Sequence, residues 1–186
     1  MKNKALTFDD QIGVLATAGI RPREGTPRDR LLFNYDESDW LNSQWECLFD
    51  LVEHSDDIED LALKCLEDPI EDADVYARIL RRLVELCKGL VPLKSIESVA
   101  DFEHRLASAT FTLEEETLRW DFEWNESWVD MSVFSRFGAL LKNRSNRALY
   151  VLQDDPRNEG IMVVSLTVEE KTILAEAGAR VTAIED

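Results

Sequence analysis

The sequence predicts an α+β fold, with a helical N-terminal region packed on a mostly antiparallel β-sheet flanked by helices. Three observations lead there. Apolar residues recur at three- and four-residue spacing through the first half. Leu118, Trp120, Phe122 and Trp124 alternate strictly with Thr117, Arg119, Asp121 and Glu123 in the second. Clusters of turn-forming residues punctuate both halves. At 186 residues, 45% of them hydrophobic, the chain buries enough core to fold without a disulfide or a structural metal. It reads as a single domain over residues 1–186, mainly helical over 1–89 and sheet-bearing over 90–186.

Thr7 caps a first helix whose apolar positions are Phe8, Ile12, Leu15 and Ala16, and Gly19 ends it. Arg21–Gly25 is a turn. Thr26-Pro27 opens a second helix through Leu31, Leu32 and Phe33, with proline at the first helical position. A third spans Trp40 to Val52 and buries Leu41, Trp45, Leu48, Phe49 and Val52. Residues 58–66 fit two periods: Ile58, Leu61, Ala62, Cys65 and Leu66 are helically spaced, while Leu61, Leu63 and Cys65 alternate. The shortness of the run favours a strand. Asp74 caps a long amphipathic helix that buries Val75, Ile79, Leu80, Leu83, Val84, Leu86 and Cys87, with Arg78, Arg81 and Arg82 on its other side and Gly89 at its end.

Strand character takes over next. Ala107, Ala109, Phe111 and Leu113 alternate, Glu114–Glu116 turns the chain, and the tryptophan-bearing strand follows. Asp130 starts a helix with Val133, Phe134, Phe137, Leu140 and Leu141 inward. Two strands are expected at Ala148–Leu152 and Ile161–Leu166 around the turn-rich Asp154–Gly160. Thr167-x-x-Glu170 is a capping box for a last helix that stops at Gly178, and Arg180–Ile184 is a final strand.

Charge is the outstanding global property. The chain carries 38 acids against 21 Lys and Arg, a formal −17. Between Asp36 and Asp74 there are fifteen acids and one base, Lys64, so this segment alone holds −14. Such a balance argues against binding nucleic-acid phosphates or an anionic membrane surface, both of which need clustered Lys and Arg. The acidic run is either solvated helix starts and loops or a surface for a cationic partner. No uncharged run approaches a membrane span. Residues 1–10 do not read as a signal peptide, and Cys47, Cys65 and Cys87 form no CxxC pair. Together these place the protein in the cytoplasm, with reduced thiols.

Catalytic signatures are missing. No GxGxxG, GxxxxGK[ST] or GxSxG is present, so the usual phosphate cradles and the hydrolase elbow are excluded. His54 and His104 are the only histidines. The cysteines sit at apolar positions and read as small buried hydrophobes, two of them in the acidic stretch where a thiolate is disfavoured. No zinc-ligand spacing occurs, and no metal or other cofactor is expected. Carboxylates are plentiful enough for acid–base or Ca²⁺/Mg²⁺ chemistry, so a small carboxylate- or divalent-metal-dependent enzyme stands as an alternative with no residue singled out. A nucleic-acid mimic is another alternative. Trp40 and Trp128 lie amid carboxylates; each either packs on its neighbours or anchors a basic partner through its ring.

Leu6-Thr7-Phe8-Asp9-Asp10-Gln11 with Gly19-Ile20-Arg21-Pro22, and Leu118-Arg119-Trp120-Asp121 through Trp128-Val129-Asp130, resemble segments of a group of small bacterial proteins that brings no catalytic residue to carry over. In size, acidity and lack of a catalytic motif the chain also resembles the immunity proteins that bacteria make against their own secreted toxins. That resemblance implies a non-enzymatic role: capture and neutralisation of a basic protein such as a toxin. The expected contact residues are Asp36, Glu37, Asp39, Trp40, Asp56, Asp57, Glu59, Asp60 and Trp128.

Overall fold

The computed structural model describes residues 5–43, 45–48, 51, 58, 72–124, 129–154 and 161–184. In chain order the elements are α1 (Phe8–Thr17), α2 (Arg28–Leu32), α3 (Glu37–Ser43), α4 (Val75–Leu86), β1 (Lys94–Asp101), β2 (Leu106–Leu113), β3 (Glu116–Phe122), α5 (Ser132–Lys142), β4 (Ala148–Asp154), β5 (Ile161–Leu166), α6 (Val168–Glu176) and β6 (Val181–Ala183). The architecture is α+β: two antiparallel three-stranded sheets, ordered β1-β2-β3 and β5-β4-β6, with helices flanking them. No described helix is long and apolar enough to cross a membrane.

The chain divides into two compact units. One is Met1–Lys64 with Tyr150–Ala183, the other Cys65–Leu149 with Ile184–Asp186. This partition does not follow a helical half and a sheet half. It follows long-range pairing, which periodicity does not report.

In the N-terminal unit, Thr7 caps α1 reciprocally. Its Oγ1 accepts from Asp10 N–H at 3.2 Å, and Asp10 Oδ2 accepts from Thr7 N–H at 3.1 Å. The buried stripe is Phe8, Gln11, Leu15 and Ala18, with Ile12 and Ala16 only half-buried. The stripe is rotated from the expected one because it contains a glutamine that an apolar pattern passes over. Gly19, at φ +80°, closes the helix. Its N–H bonds to Ala16 O at 3.1 Å, and Ile20 N–H reaches Leu15 O at 2.9 Å. Helix α1 packs on α6, whose own capping box joins Thr167 and Glu170. The left-handed backbone favours glycine here, and a Cβ on Gly19 would crowd Glu170 Oε1 at 3.1 Å.

Pro27 precedes the first helical residue of α2 and does not occupy it. Helix α3 starts three residues ahead of Trp40, because Asp36 supplies the cap. Leu41, expected inside, is exposed, and Phe49 and Val52 lie outside the described residues. The 58–66 segment also lies outside them, except that Ile58 forms an antiparallel bridge with Pro22. β4 and β6 pair antiparallel, Tyr150 opposite Ala183, and β5 has the expected bounds.

The second unit is built on the β1-β2-β3 meander. β2 and β3 pair without interruption from Ala107↔Phe122 to Leu113↔Glu116. The turn is two residues, Glu114 and Glu115, at φ 51° and 71°. These are the left-handed conformations of a type I′ hairpin, usually served by Asn-Gly. Phe111 and Leu113 are buried, as is Phe122, while Leu118, Trp120 and Trp124 are half-buried. β1 is an element the sequence pattern did not predict. Its inward positions Ile96, Ser98 and Ala100 include no bulky residue except Ile96, so the alternation is faint.

Helix α4 packs on β1 and β2 through Tyr76, Ala77, Ile79, Leu80, Leu83 and Leu86. Asp74 precedes it but makes no side-chain cap. At φ −90°, ψ 3° its backbone is not extended as a capping residue's must be. Asp72 Oδ1 instead accepts from Asp74 N–H at 2.8 Å. Two left-handed residues follow the helix, Lys88 at φ 52° and the expected Gly89 at φ 74°. Val84, like Val75, is only half-buried.

Candidate functional site

The predicted contact residues that the structure describes are gathered around α3. Asp36 Oδ1 accepts from Ser38 N–H at 2.7 Å, Ser38 Oγ at 2.6 Å and Asp39 N–H at 3.0 Å. Asp39 Oδ2 accepts in return from Asp36 N–H at 2.9 Å. The two aspartates thus form a reciprocal cap, and the charge density at 36–39 has a structural cause. The Ser38 hydroxyl first, then the Asp39 and Ser38 N–H groups, hold the Asp36 carboxyl below its ordinary 3.8.

Glu37 is exposed but paired. Arg28 Nη2 lies 2.8 Å from Glu37 Oε1, and the same guanidinium grips Asp9 bidentately, 3.1 Å at both contacts. It also sits 4.9 Å from the Phe8 ring centroid. The Asp9 hydrogen bond first, and the Glu37 bond after it, push the Arg28 pKa up. Sequence reasoning missed this three-residue bridge, because it joins helices nineteen positions apart and no local pattern signals it.

Trp40 is fully buried at 0% exposure. Its ring meets Phe8 edge-on with centroids 5.0 Å apart, and its Nε1 donates to Leu32 O at 3.2 Å. Its carbonyl accepts from Gln11 Nε2 at 2.8 Å. The indole offers no face to a partner, so Trp40 is withdrawn from the contact set and belongs to packing. The signal available was its place at the fourth position of a helix capped by Asp36. Asp56, Asp57, Glu59, Asp60 and Trp128 lie outside the described residues.

Acids at the other end of the charged segment are compensated within the second unit. Arg78 pairs with Asp72, and Arg81 Nη1 lies 2.9 Å from Asp74 Oδ2. The Asp74 N–H first, and Arg78 next, hold the Asp72 carboxyl below its ordinary value.

The second unit also carries a shallow hollow of about 470 Å³ lined by Asp121, Phe122, Glu123, Asp130, Ser132 and Arg136. Asp130 is its keystone. Oδ2 accepts from Glu123 N–H and Oδ1 from Ser132 N–H, both at 2.8 Å, while its own N–H donates to Tyr76 Oη at 2.9 Å. Tyr76 stacks flat on Phe122, centroids 3.9 Å apart. Arg136 lies over the Phe122 and Trp120 rings and donates to Asp121 O at 3.1 Å. Asp130 thus links the Glu123 and Ser132 backbones and Arg136 reaches the Asp121 carbonyl, and among the described residues no histidine or cysteine lines the hollow. His104 stands in the β1–β2 turn, its Nδ1 2.8 Å from Asp101 Oδ2. Cys47 and Cys87 are buried. Among the described residues, no three His, Cys, Asp or Glu side chains converge as a metal site requires. Compared with family models, curated proteins and solved structures, the chain matches none.

Proposed function

We propose that this is an acidic binding protein of the immunity or inhibitor type, which captures a basic protein partner and neutralises it. One observation carries the reading: of a formal −17, −14 lies between Asp36 and Asp74. A field concentrated in this way accelerates encounter with a cationic surface and masks the cleft such a surface uses. Asp36, Glu37, Asp39, Asp56, Asp57, Glu59 and Asp60 supply the charge, and Trp128 is the aromatic anchor that remains. Glu37 contributes least, because Arg28 already faces it.

Association with a basic globular protein, cytochrome c, tests the idea. The variant Asp56→Asn, Asp57→Asn, Glu59→Gln, Asp60→Asn is compared with a control that removes equal charge at Glu103, Glu115, Glu169 and Glu176. At low salt the first set is expected to slow association about tenfold, and the control less than about threefold. The difference shrinks as the Debye length falls to about 8 Å at physiological ionic strength. Equal slowing by both sets means that net charge alone acts, and the proposal fails.

A further inference from the structure

The two edges of the β1-β2-β3 sheet are treated differently. On β1 the register shifts between Lys94 and Glu97, with Ser95 at φ 50°. Arg81 Nη2 donates to Ile96 O at 2.7 Å. A bulge and covering side chains are the usual ways to blunt an edge. On β3 side chains reach the outer edge only at its end, where Arg136 donates to the Asp121 carbonyl and Asp130 accepts from the Glu123 N–H. Seven consecutive residues pair with β2, from Glu116 to Phe122, with no proline and no bulge.

The hairpin fixes which backbone groups of β3 point outward. Leu113↔Glu116 closes a two-residue turn and is therefore a hydrogen-bonded pair, so Glu116, Leu118, Trp120 and Phe122 bond inward to β2. Thr117, Arg119 and Asp121 turn their N–H and C=O groups to the open side. Among the described residues no strand pairs there. The Arg119 and Asp121 side chains are 65% and 73% exposed, with Arg119 Nε 2.8 Å from Asp121 Oδ1. They form a dipole lying along the strand.

We propose that a second copy of this chain docks antiparallel along the outer edge of β3, in the register centred on Trp120. Charge complementarity selects both the occupant and the register. Centring on Arg119 opposes two arginines, and centring on Asp121 opposes two aspartates; like charges directly opposite are destabilising. Centring on Trp120 sets Arg119 opposite the partner's Asp121 and Asp121 opposite the partner's Arg119. Both are hydrogen-bonded pairs, and the four charges alternate in a square. The Asp121 carbonyl already accepts from Arg136, so the partner's Arg119 N–H takes its second lone pair. The contact is isologous and closes as a two-fold dimer.

Sedimentation equilibrium in physiological salt tests the proposal, with circular dichroism confirming that each variant folds. Wild type is expected to show a monomer–dimer equilibrium. Arg119→Asp or Asp121→Arg alone places like charges across the axis twice and weakens the dimer about tenfold. Mixing the two single variants restores association as a heterodimer. The introduced aspartate of one chain then faces the introduced arginine of the other, and the two native side chains, Asp121 of the first and Arg119 of the second, oppose each other across the axis. A wild type that stays monomeric at high concentration overturns the proposal. So does a dimer that Arg119→Asp leaves unchanged, or single variants that fail to complement each other when mixed.

Discussion

Gln11 is enclosed at 0% exposure on the inward face of α1. Its Nε2 donates to Leu6 O at 3.1 Å and to Trp40 O at 2.8 Å, while its Oε1 has no hydrogen-bond partner among the described residues. One amide therefore ties the start of α1 to the middle of α3. Gln11→Ala removes both bonds and leaves a cavity, and is expected to lower unfolding free energy by about 2–4 kcal/mol in urea denaturation. Gln11→Met keeps the volume and removes the unpartnered acceptor, so it should cost less than the alanine variant. Equal losses would assign the whole effect to the hydrogen bonds. The same residue shows why the site was only partly legible. Charge at Asp36, Glu37 and Asp39 can be counted in the sequence. That Asp36 and Asp39 cap each other, that Arg28 faces Glu37 and that Trp40 points inward depends on where three helices meet.

Elements with a strong period were readable to within a residue or two. α6 has its capping box, β5 its bounds and the β2–β3 hairpin its alternation, because each is decided by contacts close in sequence. α4 was recognisable from its broad apolar face, but Tyr76 at its start was not anticipated as core. Its hydroxyl accepts from Asp130 N–H while its ring stacks on Phe122, so it joins α4, β3 and the start of α5. Tyr76→Phe keeps the stacking and leaves that N–H without its acceptor. The expected loss is about 1–3 kcal/mol by chemical denaturation, together with faster hydrogen exchange at Asp130 and Ser132. Unchanged exchange there would show that the hydroxyl does not hold this junction. β1 escaped notice for the converse reason. Small and polar inward positions give an edge strand too little amphipathic contrast to register.

For the molecule as a whole, two electrostatic effects oppose each other. Asp36, Asp72 and Asp101 are each held below the ordinary 3.8, chiefly by the Ser38 hydroxyl, the Asp74 N–H and the His104 N–H respectively. The unfolded chain protonates these carboxyls first. The stability they contribute is therefore whole above about pH 4 and is lost as pH falls through their folded values. Repulsion within a chain of −17 acts the other way and is relieved by acid or by salt. Thermal midpoints from about pH 7 to about pH 3, at low and at about 0.3 M salt, separate the two. At neutral pH salt should raise the midpoint, and in high salt the midpoint should fall below about pH 4. A midpoint indifferent to salt at neutral pH would mean that the concentrated acids carry no repulsive penalty. The division into Met1–Lys64 with Tyr150–Ala183 around a continuous Cys65–Leu149 bears on synthesis. As the ribosome advances, nearly all of the inserted unit emerges before β5, α6 and β6, while the N-terminal helices wait for the sheet that completes their core. The apolar stripe of α1 thus stays unsatisfied until α6 emerges, and it is in that interval that a chaperone would find most to grip.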